Sequence, residues 1–177
     1  MLKWFLRRRT AAFERRWNYD AGYIHRIIEA DPAAALAFAK VMGIADYRRG
    51  VPLAPYSAAA ILAVMNEDCG PCTQLAIDKA ERGGVAPEIL RSLTLRDFDA
   101  LPEEVALAAR FTESTLHHLD TKSLRREIIR RWGETGLISL AYAITSSRLF
   151  PTLKYALGHG HACVKLQIGG KEQKVGA

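Results

Sequence analysis

The sequence predicts an all-α protein of about seven or eight helices, and three observations carry that reading. Proline and acidic helix starts alternate with glycine stops along most of the chain, apolar residues between them recur at helical spacing, and strand punctuation is almost absent. The 177 residues suit one domain, and 49% hydrophobic with 25% charged residues is ordinary globular composition, sufficient for a sizeable core. The longest unbroken apolar run, Ala58 to Met65, has eight residues. A spanning helix needs about 20, so none is expected.

Three regions follow from the patterning: a basic amino-terminal arm over 1–20, the helical domain over 21–157 and a flexible tail over 158–177. Asp31 before Pro32 is an N-cap with a first-turn proline, opening a helix that runs to about Met42 and stops at Gly43. From Pro55 or Tyr56 an alanine-rich helix runs toward Glu67, with no charged side chain before Asn66. A helix apolar on every side must be covered on every side, at the centre of the domain or by a second subunit, so a homo-oligomer is expected. The next helix starts around Cys69 to Cys72 and ends on Lys79 and Arg82, cations suited to the negative end of its dipole, before Gly83-Gly84. Pro87-Glu88 and Pro102-Glu103-Glu104 repeat one start signal, proline followed by acids in the first turn. Leu124, Ile128, Ile129 and Trp132 form a stripe that Gly133 ends, and Leu137, Leu140, Ala141 and Ile144 form the next. From Gly158 the period is lost and glycines accumulate, which predicts the loose tail.

The net charge of +6 is localised. Residues 1–16 hold six basic side chains and one acid, leaving the body close to neutral. Such a body offers no extended phosphate-binding surface, so no nucleic-acid partner is expected. Trp4, Phe5, Leu6, Phe13 and Trp17 lie among the arginines of the arm, but Arg9 and Arg16 interrupt its apolar stripe, which argues against membrane contact and for an arm that is solvated or wraps a subunit. Arg7-Arg8-Arg9 is not followed by the apolar segment an export signal needs, and three cysteines are too few for a secreted disulfide framework. A cytoplasmic protein with reduced resting thiols is the expectation.

The chemistry concentrates in Asp68-Cys69-Gly70-Pro71-Cys72-Thr73-Gln74. Two thiols three residues apart in a first helical turn can close a small disulfide ring, and the amide groups and dipole there favour a thiolate. Thiolate character serves both attack and departure in thiol exchange. Glu67 and Asp68 act in the opposite sense, since neighbouring negative charge disfavours a second anion. Half of a zinc site and a pair of inert core cysteines are the other readings; the first lacks a second ligand pair at metal spacing. Cys-Gly-Pro-Cys is also the thioredoxin tetrapeptide, but that fold places it after a buried strand, and Ser57 to Met65 reads as helix.

The setting resembles the alkylhydroperoxidase-D-like and carboxymuconolactone-decarboxylase-like family. An apolar helix over Ser57 to Asn66 precedes Cys69-Gly70-Pro71-Cys72, a helix closed by Gly83-Gly84 follows, then Val85-Ala86-Pro87-Glu88-Ile89-Leu90 and Leu101-Pro102-Glu103-Glu104-Val105-Ala106-Leu107-Ala108-Ala109-Arg110-Phe111. The resemblance covers roughly residues 50–157. It implies a single-domain orthogonal helical bundle and a redox pair in which Cys72 attacks peroxide or disulfide and Cys69 resolves it. Thioredoxin-like logic reverses those roles. The family's redox members carry a relay glutamate and histidine, whose positions here hold Ser57 and Ala76. Neither moves a proton as its counterpart would. Tyr56, His117 and His118 are substitutes by chemistry alone. The decarboxylase branch implies lactone chemistry without a cysteine pair, for which no pocket is legible.

The reading is therefore a thiol-disulfide oxidoreductase with catalytic Cys69 and Cys72, reducing hydroperoxides or protein disulfides, with no cofactor and no resident metal. The alternative is a catalytically degenerate family member serving as an oligomeric binding or assembly module. His159, His161 and Cys163 form one further cluster of soft ligands in the tail, able to complete a metal site with Cys69 and Cys72 only if the tail folds back.

Overall fold

The structure, a computed structural model, describes residues 1–160 and 165–174. In chain order it contains α1 (Leu2–Trp17), α2 (Gly22–Ala30), α3 (Pro32–Ala39), α4 (Met42–Ala45), α5 (Leu53–Met65), α6 (Gly70–Arg82), α7 (Pro87–Thr94), α8 (Glu103–Leu116), α9 (Lys122–Ala156) and a hairpin of β1 (Lys165–Ile168) and β2 (Lys171–Lys174). The described residues are mostly helical, as the punctuation predicts. Among them no helix is long and apolar enough to cross a membrane.

Most start and stop signals act where they stand. The Asp31 carboxylate accepts the Ala33 amide at 2.8 Å and Pro32 opens α3. Pro71 and Pro87 occupy the first turns of α6 and α7, and Glu103 and Glu104 that of α8. The helix expected to reach Met42 ends at Ala39, and Gly43, read as its stop, lies inside the following single turn α4. Gly133, at φ 68° and ψ 179°, breaks α9 with a backbone geometry that a side chain disfavours. The stripes on either side are both buried through Ile128, Trp132, Leu140 and Ile144, with Ala143 inside and Ala141 exposed.

α5 is the central helix. Ala58, Ile61 and Leu62 pack with α6, α7, α8 and the hairpin, while Ala59 and Ala63 face Phe111, Ile128, Trp132 and Leu140 on α8 and α9. Its apolar circumference is thus covered within one chain.

Both terminal segments depart from expectation. The arm is the regular helix α1 docked on α2, with Lys3 Nζ donating to the Glu29 carbonyl at 2.8 Å, an Arg7–Glu29 ion pair, and Glu14 accepting the Ala21 amide at 3.0 Å. Phe13, Trp17 and Tyr19 turn inward onto α2, α6 and α9. Trp4 and Phe5 stay exposed under Arg8 and Arg9. The predicted loose tail instead contains an antiparallel hairpin in which Ile168 pairs with Lys171 across Gly169-Gly170. Both glycines have positive φ, 57° and 70°, the requirement of a two-residue hairpin turn whose twist matches its strands. Leu166 and Ile168 are fully buried in the core beside α6 and α7.

Candidate active site

The short link from α5 to α6 sets the position of the cysteines. Asp68 takes a left-handed φ of 49°, a conformation aspartate tolerates better than most residues, and turns the chain so that Cys69 becomes the N-cap of α6. Gly70 and Pro71 start the helix and place Cys72 at the end of its first three residues. The Cys69 carbonyl accepts the Thr73 amide at 2.9 Å and the Thr73 hydroxyl at 3.0 Å, fixing the turn. Cys69 and Cys72 are disulfide-bonded with Cα atoms 5.3 Å apart, inside the usual range for such a bond.

Both sulfurs are buried beside Val64 and Ala76, yet they face different surroundings. Cys72 lies on the wall of a cavity of about 360 Å³, and Cys69 is not among its lining residues. Phe13, Tyr23, Phe38 and Phe150 form much of the apolar lining, with Asp46, Arg48 and Lys79 as its charged members. Burial lowers the Lys79 ammonium below the ordinary lysine range, partly offset by Asp46.

Of the two acids beside the pair, Glu67 has its carboxylate engaged elsewhere and Asp68 is held through its backbone carbonyl. Arg148 Nε donates to Glu67 at 2.6 Å, and the Tyr155 hydroxyl donates to the Asp68 carbonyl at 2.6 Å. The arginine offsets the Glu67 charge, so the opposition to a thiolate expected from that carboxylate is reduced.

Ser57 and Ala76, the positions at which the sequence resemblance expects relay groups, both line the cavity with Cys72. Tyr56 also lines the cavity, but its hydroxyl donates to the Ala45 carbonyl at 2.7 Å and burial pushes its pKa up to about 12. His117 and His118 follow α8 and are not among the lining residues; His117 instead reaches Glu113 at 3.4 Å. His161 and Cys163 lie outside the described residues. Among those described, no group of three His, Cys, Asp or Glu side chains is arranged to hold a metal ion.

One group at the cysteines has no counterpart in the sequence reading. The Tyr19 hydroxyl lies 3.6 Å from Cys72 Sγ, and because a disulfide sulfur carries no proton, the hydroxyl is the donor. Beneath it, Lys154 is 1% exposed, with Nζ 4.8 Å from the Tyr19 ring centroid and 5.6 Å from that of Tyr23. Tyr19 is 53 residues from Cys72, so no local spacing announces the contact.

No family model, curated protein or solved structure matches the chain. Fold and site by themselves define an all-α protein with a Cys-x-x-Cys pair at disulfide distance at the start of a buried helix. More particularly, one sulfur of that pair borders a mainly apolar cavity and the other does not.

Proposed function

We propose that the protein is a thiol-disulfide oxidoreductase working through Cys69 and Cys72, and that its oxidising substrate is the hydroperoxide of an apolar organic molecule. The observation that carries this reading is the asymmetry of the pair: Cys72 borders the cavity and Cys69 does not. A substrate entering the cavity meets Cys72 Sγ, which attacks, and Cys69 then resolves the intermediate to the disulfide. The order agrees with the one implied by the alkylhydroperoxidase-D-like resemblance, and membership of that family is part of the proposal. Apolar walls favour an organic hydroperoxide over hydrogen peroxide, because burying apolar surface contributes about 25 cal/mol per Å². A dithiol donor returns the pair to its reduced state by exchange.

Trapping tests the proposal. With hydroperoxide as the oxidant, Cys69→Ser should accumulate a mixed disulfide, formed as an added small thiol displaces water from the Cys72 sulfenic acid, whereas Cys72→Ser should accumulate none and lose hydroperoxide turnover altogether. If neither variant traps a thiol and neither loses activity, the redox reading fails.

The second reading, a degenerate binding or assembly module, draws on the serine and alanine at the relay positions. It predicts an intact, unreactive pair after mild peroxide treatment, where the enzyme predicts rapid and reversible loss of two thiols per chain. The homo-oligomer also belongs to the proposal, although the coverage of α5 within the chain removes the argument that first suggested it. A light-scattering mass equal to one chain would eliminate it.

A further inference from the structure

Tyr19 sits between α1 and α2, is 7% exposed, and packs edge-on against Phe13 with ring centroids 5.7 Å apart. Its hydroxyl is the polar side-chain group hydrogen-bonded to Cys72 Sγ, and its ring lines the cavity that Cys72 borders. Resting on the oxidoreductase reading above, we infer that Tyr19 is a catalytic residue that shuttles a proton from the Cys72 thiol to the leaving oxygen of a hydroperoxide, the work that Ser57 and Ala76 cannot do.

The hydrogen bond to Cys72 supplies the first half of the shuttle, and the place of Tyr19 in the cavity lining supplies access for the second. In the reduced protein Cys72 carries the proton, so the contact reverses and the thiol donates to Tyr19 Oη. The tyrosine's own proton is then available to an acceptor in the cavity. Burial, with Tyr23 and Asp20 adding to it, raises the Tyr19 pKa far above the usual tyrosine range. A free tyrosinate is therefore not an intermediate, and the hydroxyl takes one proton as it gives the other. Lys154 Nζ lies over the rings of Tyr19 and Tyr23, a cation–π arrangement that holds the Tyr19 ring in place beside Cys72.

Cys72 Sγ attacks the distal peroxide oxygen, the S–O bond forms, the O–O bond breaks, and its electron pair leaves on the alkoxide oxygen. That oxygen takes the Tyr19 proton while Tyr19 takes the thiol proton, giving an alcohol and a sulfenic acid on Cys72. Cys69 then attacks the Cys72 sulfur, forming the disulfide and expelling the hydroxyl, which leaves as water with the Cys69 proton. Two thiols are oxidised and one hydroperoxide is reduced.

The test mixes pre-reduced protein with cumene hydroperoxide and follows thiol loss. Tyr19→Phe keeps the ring and its packing, and should slow the reaction by about 10 to 100-fold, the lower part of the range for a lost proton-transfer group. Tyr142→Phe, a change at an exposed tyrosine away from the cavity, should leave the rate as it is. Adding Ala76→His to Tyr19→Phe should restore part of the rate, since a side chain four residues along α6 shares the face of Cys72. In a Cys69→Ser background, the pH midpoint for iodoacetamide alkylation of Cys72 should rise when Tyr19 becomes Phe, because the thiolate loses its donor while Tyr23, Asp20 and Lys154 remain. Equal peroxide rates and equal alkylation midpoints with and without the hydroxyl overturn the role of Tyr19 alone. A wild-type protein that consumes no hydroperoxide overturns the oxidoreductase reading and this inference with it.

Discussion

From Cys72 to Arg82, α6 is gripped by segments from both ends of the chain. On one flank the amino-terminal segment lays the Tyr19 hydroxyl on Cys72 and the Trp17 ring under Arg82, 4.3 Å from its guanidinium carbon. On another, the carboxyl-terminal hairpin exchanges two hydrogen bonds with Gln74, the side-chain amide donating to the Gln167 carbonyl at 2.9 Å and the Gln167 amide donating back at 2.7 Å. The hairpin brings backbone groups and two buried aliphatic side chains, none of them reactive. The arm brings aromatic rings, a hydroxyl and cations, and four of the cavity's lining residues, Phe13, Tyr19, Tyr23 and Ile24, come from it and from α2. Two segments of similar peripheral look in sequence thus divide into one that seals the core and one that furnishes the site.

The division is broken most severely from the hairpin side. Ile168→Ala empties a fully buried position and should cost about 2–5 kcal/mol. Urea unfolding should show that loss while the thiol-oxidation rate per folded molecule stays near wild type; a slowed reaction in the folded variant would show that the hairpin also shapes the site. Next in size is Ala76→His in the otherwise wild-type chain. It should raise hydroperoxide turnover by about tenfold, less than a full relay supplies because Tyr19 already carries part of the transfer. An unchanged steady-state rate would mean that proton transfer to the leaving oxygen does not limit the reaction.

A smaller effect is expected at Trp17. Trp17→Leu keeps apolar bulk and removes the face that Arg82 and Arg16 cover, so thermal unfolding should report a loss of about 1 kcal/mol. The smallest effect lies far from both segments, at Glu127. Hydrogen bonds from Arg130 and Arg131 lower its pKa from 4.5 to about 2. A carboxylate lowered on folding contributes stability above its ordinary pKa and loses it as pH falls toward the lowered one. Glu127→Gln should therefore melt slightly below wild type at pH 6, and the two melting curves should converge near pH 2. A gap that persists in acid would assign the effect to something other than this ion pair.

Legibility in the sequence follows the range of the interactions. Helix starts at Pro32, Pro71 and Pro87 act within a few residues of themselves, as does the break at Gly133, so the local sequence carries them. The Cys69/Cys72 pair is legible for the same reason. The hairpin was within reach: Leu166 and Ile168 alternate with polar residues, and Gly169-Gly170 is a recognised two-residue turn. Its strands are only four residues each, and the glycine content around them resembles that of a loose tail. Tyr19 and Lys154 were not legible. Tyr19 reaches Cys72 from before α2, and Lys154 reaches the Tyr19 ring from the far half of α9, through a packing arrangement that no periodicity encodes.

The segment between α4 and α5 is tied down with similar economy. The Ser139 hydroxyl accepts the Arg49 amide at 2.9 Å and approaches the Arg49 carbonyl at 2.8 Å, while a side chain at Gly50 would meet the Trp132 carbonyl at 2.8 Å. Asp46 and Arg48, from the same segment, stand in the cavity lining. In amide hydrogen exchange, Arg49 should then behave as a core position, opening only with the larger unfolding events and not with loop motion. A wall fixed in this way keeps the cavity's dimensions constant on that side unless the surrounding core opens with it.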